Sequence, residues 1–128
     1  MKKLTAILCL TIAVLLGSLG VSWSADLQKG LDAANRGDFS TALREWRPLA
    51  EQGDASAQNN LGFMYVYGKG VLQDYVRAHM WFNIAASSGG SKNSSKSRDN
   101  VAKKMTPSQV EKAQKLAREC VRKRYKGC

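Results

Sequence analysis

The sequence contains one histidine, His79, and three cysteines, Cys9, Cys120 and Cys128. A lone histidine with no cysteine at ligand spacing excludes a zinc site of the usual His/Cys type. It also leaves serine and cysteine nucleophiles short of a base and an orienting group. His79 falls in a helical stretch and reads as a helix-surface residue. No nucleophile elbow and no phosphate-binding loop is present, since Gly68-Lys69-Gly70 is not followed by the Lys-Ser/Thr pair such a loop requires. Strand periodicity is almost absent. These absences leave no residue to which a catalytic, cofactor-binding or metal-binding role attaches.

The chain has 128 residues, enough for one domain. Its first segment reads as an export signal. Lys2 and Lys3 precede Leu4 to Leu16, which is apolar and uncharged, and Gly17, Ser18 and Gly20 then break the run. Ser22 and Ser24 stand at −3 and −1 of a cut before Ala25. The alternative is an uncleaved N-terminal anchor, because about 20 residues suffice to span a bilayer. Cys9 lies inside the apolar run behind the bulky Ile7 and Leu8, which does not suit a lipoprotein site. The expected setting is the periplasm or the exterior, where nucleic acid is an unlikely partner.

Charge is unevenly distributed in the rest of the chain. Residues 25–91 carry six Lys/Arg and seven Asp/Glu, net −1, whereas residues 92–128 carry twelve and three, net +9. In an oxidising compartment Cys120 and Cys128 can pair. On one continuous helix their Cα atoms would be about 12 Å apart, beyond the roughly 7 Å limit for a bridge. An internal disulfide therefore requires the helix to end near Arg124 and residues 125–128 to fold back. Free thiols and an intermolecular bridge are the other options.

Helical periodicity dominates from residue 25 onward, and the pattern repeats. Phe39 to Gly53 matches Tyr75 to Gly89 at an offset of 36, pairing Asp38 with Asp74, Phe39 with Tyr75, Ala42 with Ala78, Trp46 with Phe82, Ala50 with Ala86, and Gly53 with Gly89. A weaker match at an offset of 32 pairs Gly30 with Gly62. Such periods with two helices per unit indicate a solenoid. Asp38 and Asp74 are expected N-caps, and Gly53 and Gly89 expected helix terminators. Gly62 in mid-helix costs about 1 kcal/mol relative to Ala, which points to a closely crossing neighbour. Residues 87–97, SSGGSKNSSKS, read as a linker or a weakly helical piece. Thr106-Pro107-Ser108-Gln109 has the form of a capping box before a last helix over about 107–124. Val110, Ala113, Leu116, Ala117, Cys120 and Val121 form one face of that helix, a lid for the final repeat.

The pattern Ala57, Leu61, Gly62, Tyr65, Gly68, Gly70, Val71, Asp74, Ala78, Trp81, Ala85, Ala86 and Gly89 resembles a full unit of the Sel-one-like repeat (SLR) family, a relative of the tetratricopeptide repeats. Residues 27–53 resemble a degenerate unit, and the stretch from Arg98 through Met105 to Ala117 resembles the cap that follows bacterial repeats. The resemblance implies an all-α, short helical-hairpin solenoid. Its organisation would be a signal peptide over 1–24, a degenerate repeat over 25–53, a full repeat over 54–90 and a basic C-terminal cap over 91–128. It further implies a non-catalytic interaction module binding a protein or peptide in the periplasm or cell envelope. A secreted protein acting on a host is the alternative, as is a hydrolase of the β-lactam or cell-wall class, described for cysteine-rich relatives whose paired cysteines this chain lacks.

In such solenoids the first helix of each unit lines a concave face. Asn60, Met64 and Tyr67 share the side away from Leu61 and Tyr65, and the offset of 32 makes Gln28, Asp32 and Asn35 their counterparts. Asn supplies hydrogen bonds for a peptide backbone, while Met and Tyr take apolar side chains. The plain alternative is a solvated helix face. Arg118, Arg122, Lys123, Arg124 and Lys126 form a basic patch suited to an anionic membrane surface or an acidic partner, or simply to solubility and to cations near a helix C-terminus. Arg36-Gly37-Asp38 spells an adhesion tripeptide, but Asp38 and Gly37 already have capping and turn roles.

Overall fold

A computed structural model describes residues 25–90 and 92–128. The expected export signal, residues 1–24, lies outside the described residues. The described residues form six helices in order: α1 Leu27–Asn35, α2 Phe39–Glu51, α3 Ala55–Tyr67, α4 Tyr75–Ser87, α5 Lys92–Ala102 and α6 Pro107–Arg122. No strand occurs among the described residues.

Helix starts follow from aspartate placement. The carboxylates of Asp26, Asp38, Asp54 and Asp74 accept hydrogen bonds from amides in the first turns of α1 to α4, satisfying donors that have no intrahelical partner. At α6 the Thr106 hydroxyl accepts from the Gln109 amide and the Gln109 side chain accepts from the Thr106 amide, with Pro107 as the first helical residue. Gly68 closes α3 at φ 62°, a left-handed conformation that favours glycine.

Consecutive helices pack as antiparallel hairpins, α1 with α2 and α3 with α4. The same device closes both. A side chain at Gly30 would collide with the Trp46 indole, and one at Gly62 would come within 2.5 Å of the Phe82 ring. These two glycine–aromatic pairs are the positions aligned in the sequence repeat. Trp46 also donates from Nε1 to the Leu27 carbonyl at 3.2 Å. Between hairpins, buried Gln58 donates to the Ala50 carbonyl at 3.1 Å.

Helix α4 is the centre of the molecule, contacted by α3, α5 and α6. Residues Ala78 to Phe82 are all buried in succession, so no solvent face survives on that turn. His79, expected on a helix surface, is therefore buried at 3 % exposure. Residues 92–97, expected to be a linker or weakly helical, begin α5. It packs on α4; Ser94 donates to Asn59 at 3.0 Å, Arg98 donates to Asn83 at 3.1 Å, and Val101 is buried.

The C-terminal helix lies on α4. It ends at Arg122, and Arg124 (φ 53°) and Tyr125 (φ 65°) then reverse the chain. This brings Cys128 within 5.7 Å (Cα–Cα) of Cys120, and the two form a disulfide. The returned tail is tied down further by Arg77, which donates to the Cys128 carbonyl at 2.9 Å. The Tyr125 hydroxyl lies 3.4 Å from that of Ser88.

Candidate binding groove

Three of the six proposed partner-contacting residues come together. Asn60, Met64 and Tyr67 of α3 line a groove of about 180 Å³ completed by Ala34 of α1, Phe39 and Trp46 of α2, Phe63, and Lys69 beyond α3. Met64 is not a surface residue, as the helix-face reading had it, but the floor of this groove, 4 % exposed. The reason is that α3 packs against both α2 and α4. Its buried face is accordingly wide, including Ala57, Gln58, Leu61, Gly62, Met64 and Tyr65. Tyr67, by contrast, is 66 % exposed.

The α1 counterparts do not join them. Gln28 and Asp32 hydrogen-bond to each other at 2.9 Å on the exposed side of α1, and Asn35 is exposed beside the turn. None of the three lines the groove; α1 reaches it through Ala34.

The residue missed from sequence is Phe63. It is 39 % exposed, stacks on Tyr67 at 6.4 Å and meets Phe82 edge-on at 5.0 Å. The Phe63–Tyr67 pair borders two depressions, since both residues also line a second hollow of about 140 Å³ with Val66, Phe82, Val101 and Lys104. Its signal was present: Phe63 is an aromatic at i−4 from Tyr67, and side chains four apart on a helix are neighbours. Lys69 stands 5.4 Å above the Phe39 ring, so a cation and an aromatic ridge flank an apolar floor. Such a surface accepts apolar side chains and a peptide backbone.

The basic residues divide among several surfaces. Arg118 and Arg122 edge a depression between α4 and α6. Lys123 lines another with Arg77 and Cys128. Arg124 and Lys126 belong to the exposed terminal turn.

His79 is buried within α4. Burial lowers its pKa, and the Arg98 guanidinium lowers it further, against a smaller opposing effect of Asp99. Its Nδ1 has no hydrogen-bond partner among the described residues. Among the described residues no three His, Cys, Asp or Glu side chains gather as metal ligands. No described helix is long and apolar enough to cross a membrane. In the Arg36-Gly37-Asp38 turn, Asp38 accepts from the Thr41 amide at 3.1 Å.

Helical hairpins repeating side by side with an aromatic-edged groove define an all-α repeat solenoid. Residues 55–90, which span α3, α4 and their connections, match the Sel1 repeat family. The fold is similar to the crystal structure of a protective antigen from uropathogenic Escherichia coli that displays an SLR fold, with a TM-score of 0.68 and 30 % sequence identity. That similarity covers 77 % of this chain and 23 % of the antigen, so the chain spans about a quarter of its relative's length. No curated protein matches the chain in sequence. Residues 55–90 thus form a Sel1-like repeat within a chain that has the fold of SLR proteins.

Proposed function

We propose that this chain is an exported module of the cell envelope that binds a peptide segment of a protein partner in the groove at α3. Sel1 repeat proteins are generally protein-interaction modules, and their fold is typically a non-catalytic scaffold. The observation that carries the reading is the Phe63–Tyr67 pair. Two large aromatic side chains remain solvent-facing over an apolar floor, and exposed aromatics of this kind provide most of the energy in binding hot spots. Export is supported by the signal pattern from Lys2 to Ser24 and by a disulfide that suits an oxidising compartment.

His79, the one histidine, is buried in α4, which favours binding over histidine-based hydrolysis. A host-facing, secreted role is the second reading, favoured by the similar protein being a protective antigen. The binding function is tested by replacing Tyr67 and Asn60 with alanine together and measuring partner capture by crosslinking in native envelopes. Capture should fall at least about tenfold, the equivalent of roughly 1.4 kcal/mol, with unchanged helical content. Undiminished capture would refute the groove. Met64 is unsuitable for this test because its truncation also opens the core.

A further inference from the structure

The lid helix leaves part of its apolar face uncovered. Of the stripe that runs along α6, Ala113, Ala117 and Cys120 are buried, but Val121 is 47 % exposed. Val121, Ala117 and Ile84 form the apolar side of a trough of about 550 Å³ between α4 and α6, with Asn83 and Ser87 on the α4 edge. Arg118 and Arg122, one helical turn apart, stand on the α6 edge. Among the described residues neither arginine is paired with a carboxylate. The trough lies on α4 and α6 and shares no lining residue with the α3 groove.

We propose that this trough is a second binding site, which takes an acidic amphipathic helix from a partner protein. Three features select that occupant. The trough is open and runs about one turn along each of α4 and α6, so it receives one to two turns of a helix laid across it. Its arginines have i, i+4 spacing, about 6 Å along the axis, which matches carboxylates at i, i+4 on a partner helix, and arginine engages carboxylates bidentately. The surrounding segment, residues 92–128, carries net +9 against −1 for residues 25–91, so encounter with an acidic partner is steered to this end. A bilayer fits less well. Membrane-surface binding uses several apolar side chains that project beyond the charged ones, whereas of the trough's apolar residues only Val121 is exposed and Ile84 and Ala117 are recessed, at 1 % and 4 % exposure.

The test titrates a fluorescent helical peptide of about 18 residues, with leucines along one face flanked by glutamates, into the purified exported protein. A second peptide has every glutamate replaced by lysine. Vesicles of pure phosphatidylglycerol form a third arm. The acidic peptide should bind, and added salt should weaken it. The double substitution Arg118→Ala/Arg122→Ala should reduce affinity about tenfold, and Val121→Asp by a similar factor. Lys112→Ala/Lys115→Ala removes the same charge from exposed α6 positions outside the trough and should change affinity less than about twofold. Tyr67→Ala should leave it unchanged. The proposal is overturned if the acidic peptide fails to bind, if the lysine peptide binds as well, if the two double substitutions act equally, or if vesicles bind where the peptide does not.

Discussion

Gly62 and His79 show how closely single residues are constrained around α4. Gly62→Ala gains about 1 kcal/mol in helix propensity, but its methyl group meets the Phe82 ring, and overpacking costs about 1–3 kcal/mol. Because α3 and α4 are both held by other helices, the ring cannot move away freely. Gly62→Ala should therefore lower stability in urea titration, and adding Phe82→Leu should recover part of the loss. A more stable Gly62→Ala protein would show that the crossing is looser than described. His79 sets a pH dependence. Its folded pKa is lowered by burial, so below the ordinary value near 6.5 the unfolded chain binds a proton that the folded chain rejects. Stability contributed by neutral His79 is complete above that value. It is lost as pH falls, at no more than about 1.4 kcal/mol per pH unit. His79→Gln should flatten the stability profile between about pH 6.5 and 5, as read by chemical denaturation. An unaltered slope would assign the dependence to other groups. The carboxylates of Asp38 and Glu45 act in a different window, because hydrogen bonds hold both pKa values below the ordinary carboxylate range.

Among the elements, α5 was the least legible in the sequence. The caps of α2 and α4, the capping box of α6 and the close approach at Gly62 could be read directly, because each depends on residues a few positions apart. Helix α5 could not, since Ser94 and Arg98 become helix-stabilising only through Asn59 and Asn83 on other helices. The same limit hid the burial of Met64 and His79. Periodicity identifies one buried face, but α3 and α4 are enclosed from several sides. A helix held by so few apolar contacts should open first, so amides of α5 should exchange with solvent faster than those of α3 and α4 in hydrogen-exchange mass spectrometry. Equal protection would contradict this. The tail presents the reverse case. Its disulfide closes a short loop, at a sequence separation of 8, and loop closure of that size stabilises by about 2–3 kcal/mol in the chain-entropy view. Cys128→Ser should lower Tm and release Tyr125 from Ser88, detectable as a change in tyrosine fluorescence. An unchanged Tm would mean that the Arg77 contact alone retains the tail.

At the scale of the whole described fold, two helical hairpins followed by α5 and α6 present separate surfaces around one central helix, α4. The α3 groove combines an apolar floor with exposed aromatics, and the α4–α6 trough combines apolar residues with arginines. A concave face lined by the first helix of each unit was an expectation from the family resemblance, and three of the six residues named for it line the α3 groove. Its composition was only half legible, because a fixed offset carries helix register to a neighbouring unit but not the angle between helices. Gln28, Asp32 and Asn35 lie outside the groove, and Ala34 and Phe39 line it. The most direct measurement of the binding function is site-specific photocrosslinking in intact cells, with a photoreactive phenylalanine analogue at Tyr67 and, as a control, at Lys115 on the far helix. A groove that holds a partner peptide gives a discrete crosslinked protein from position 67 that is absent from position 115 and is lost on adding Asn60→Ala. Identical products from both positions, or none from position 67, would contradict a peptide-binding groove at α3.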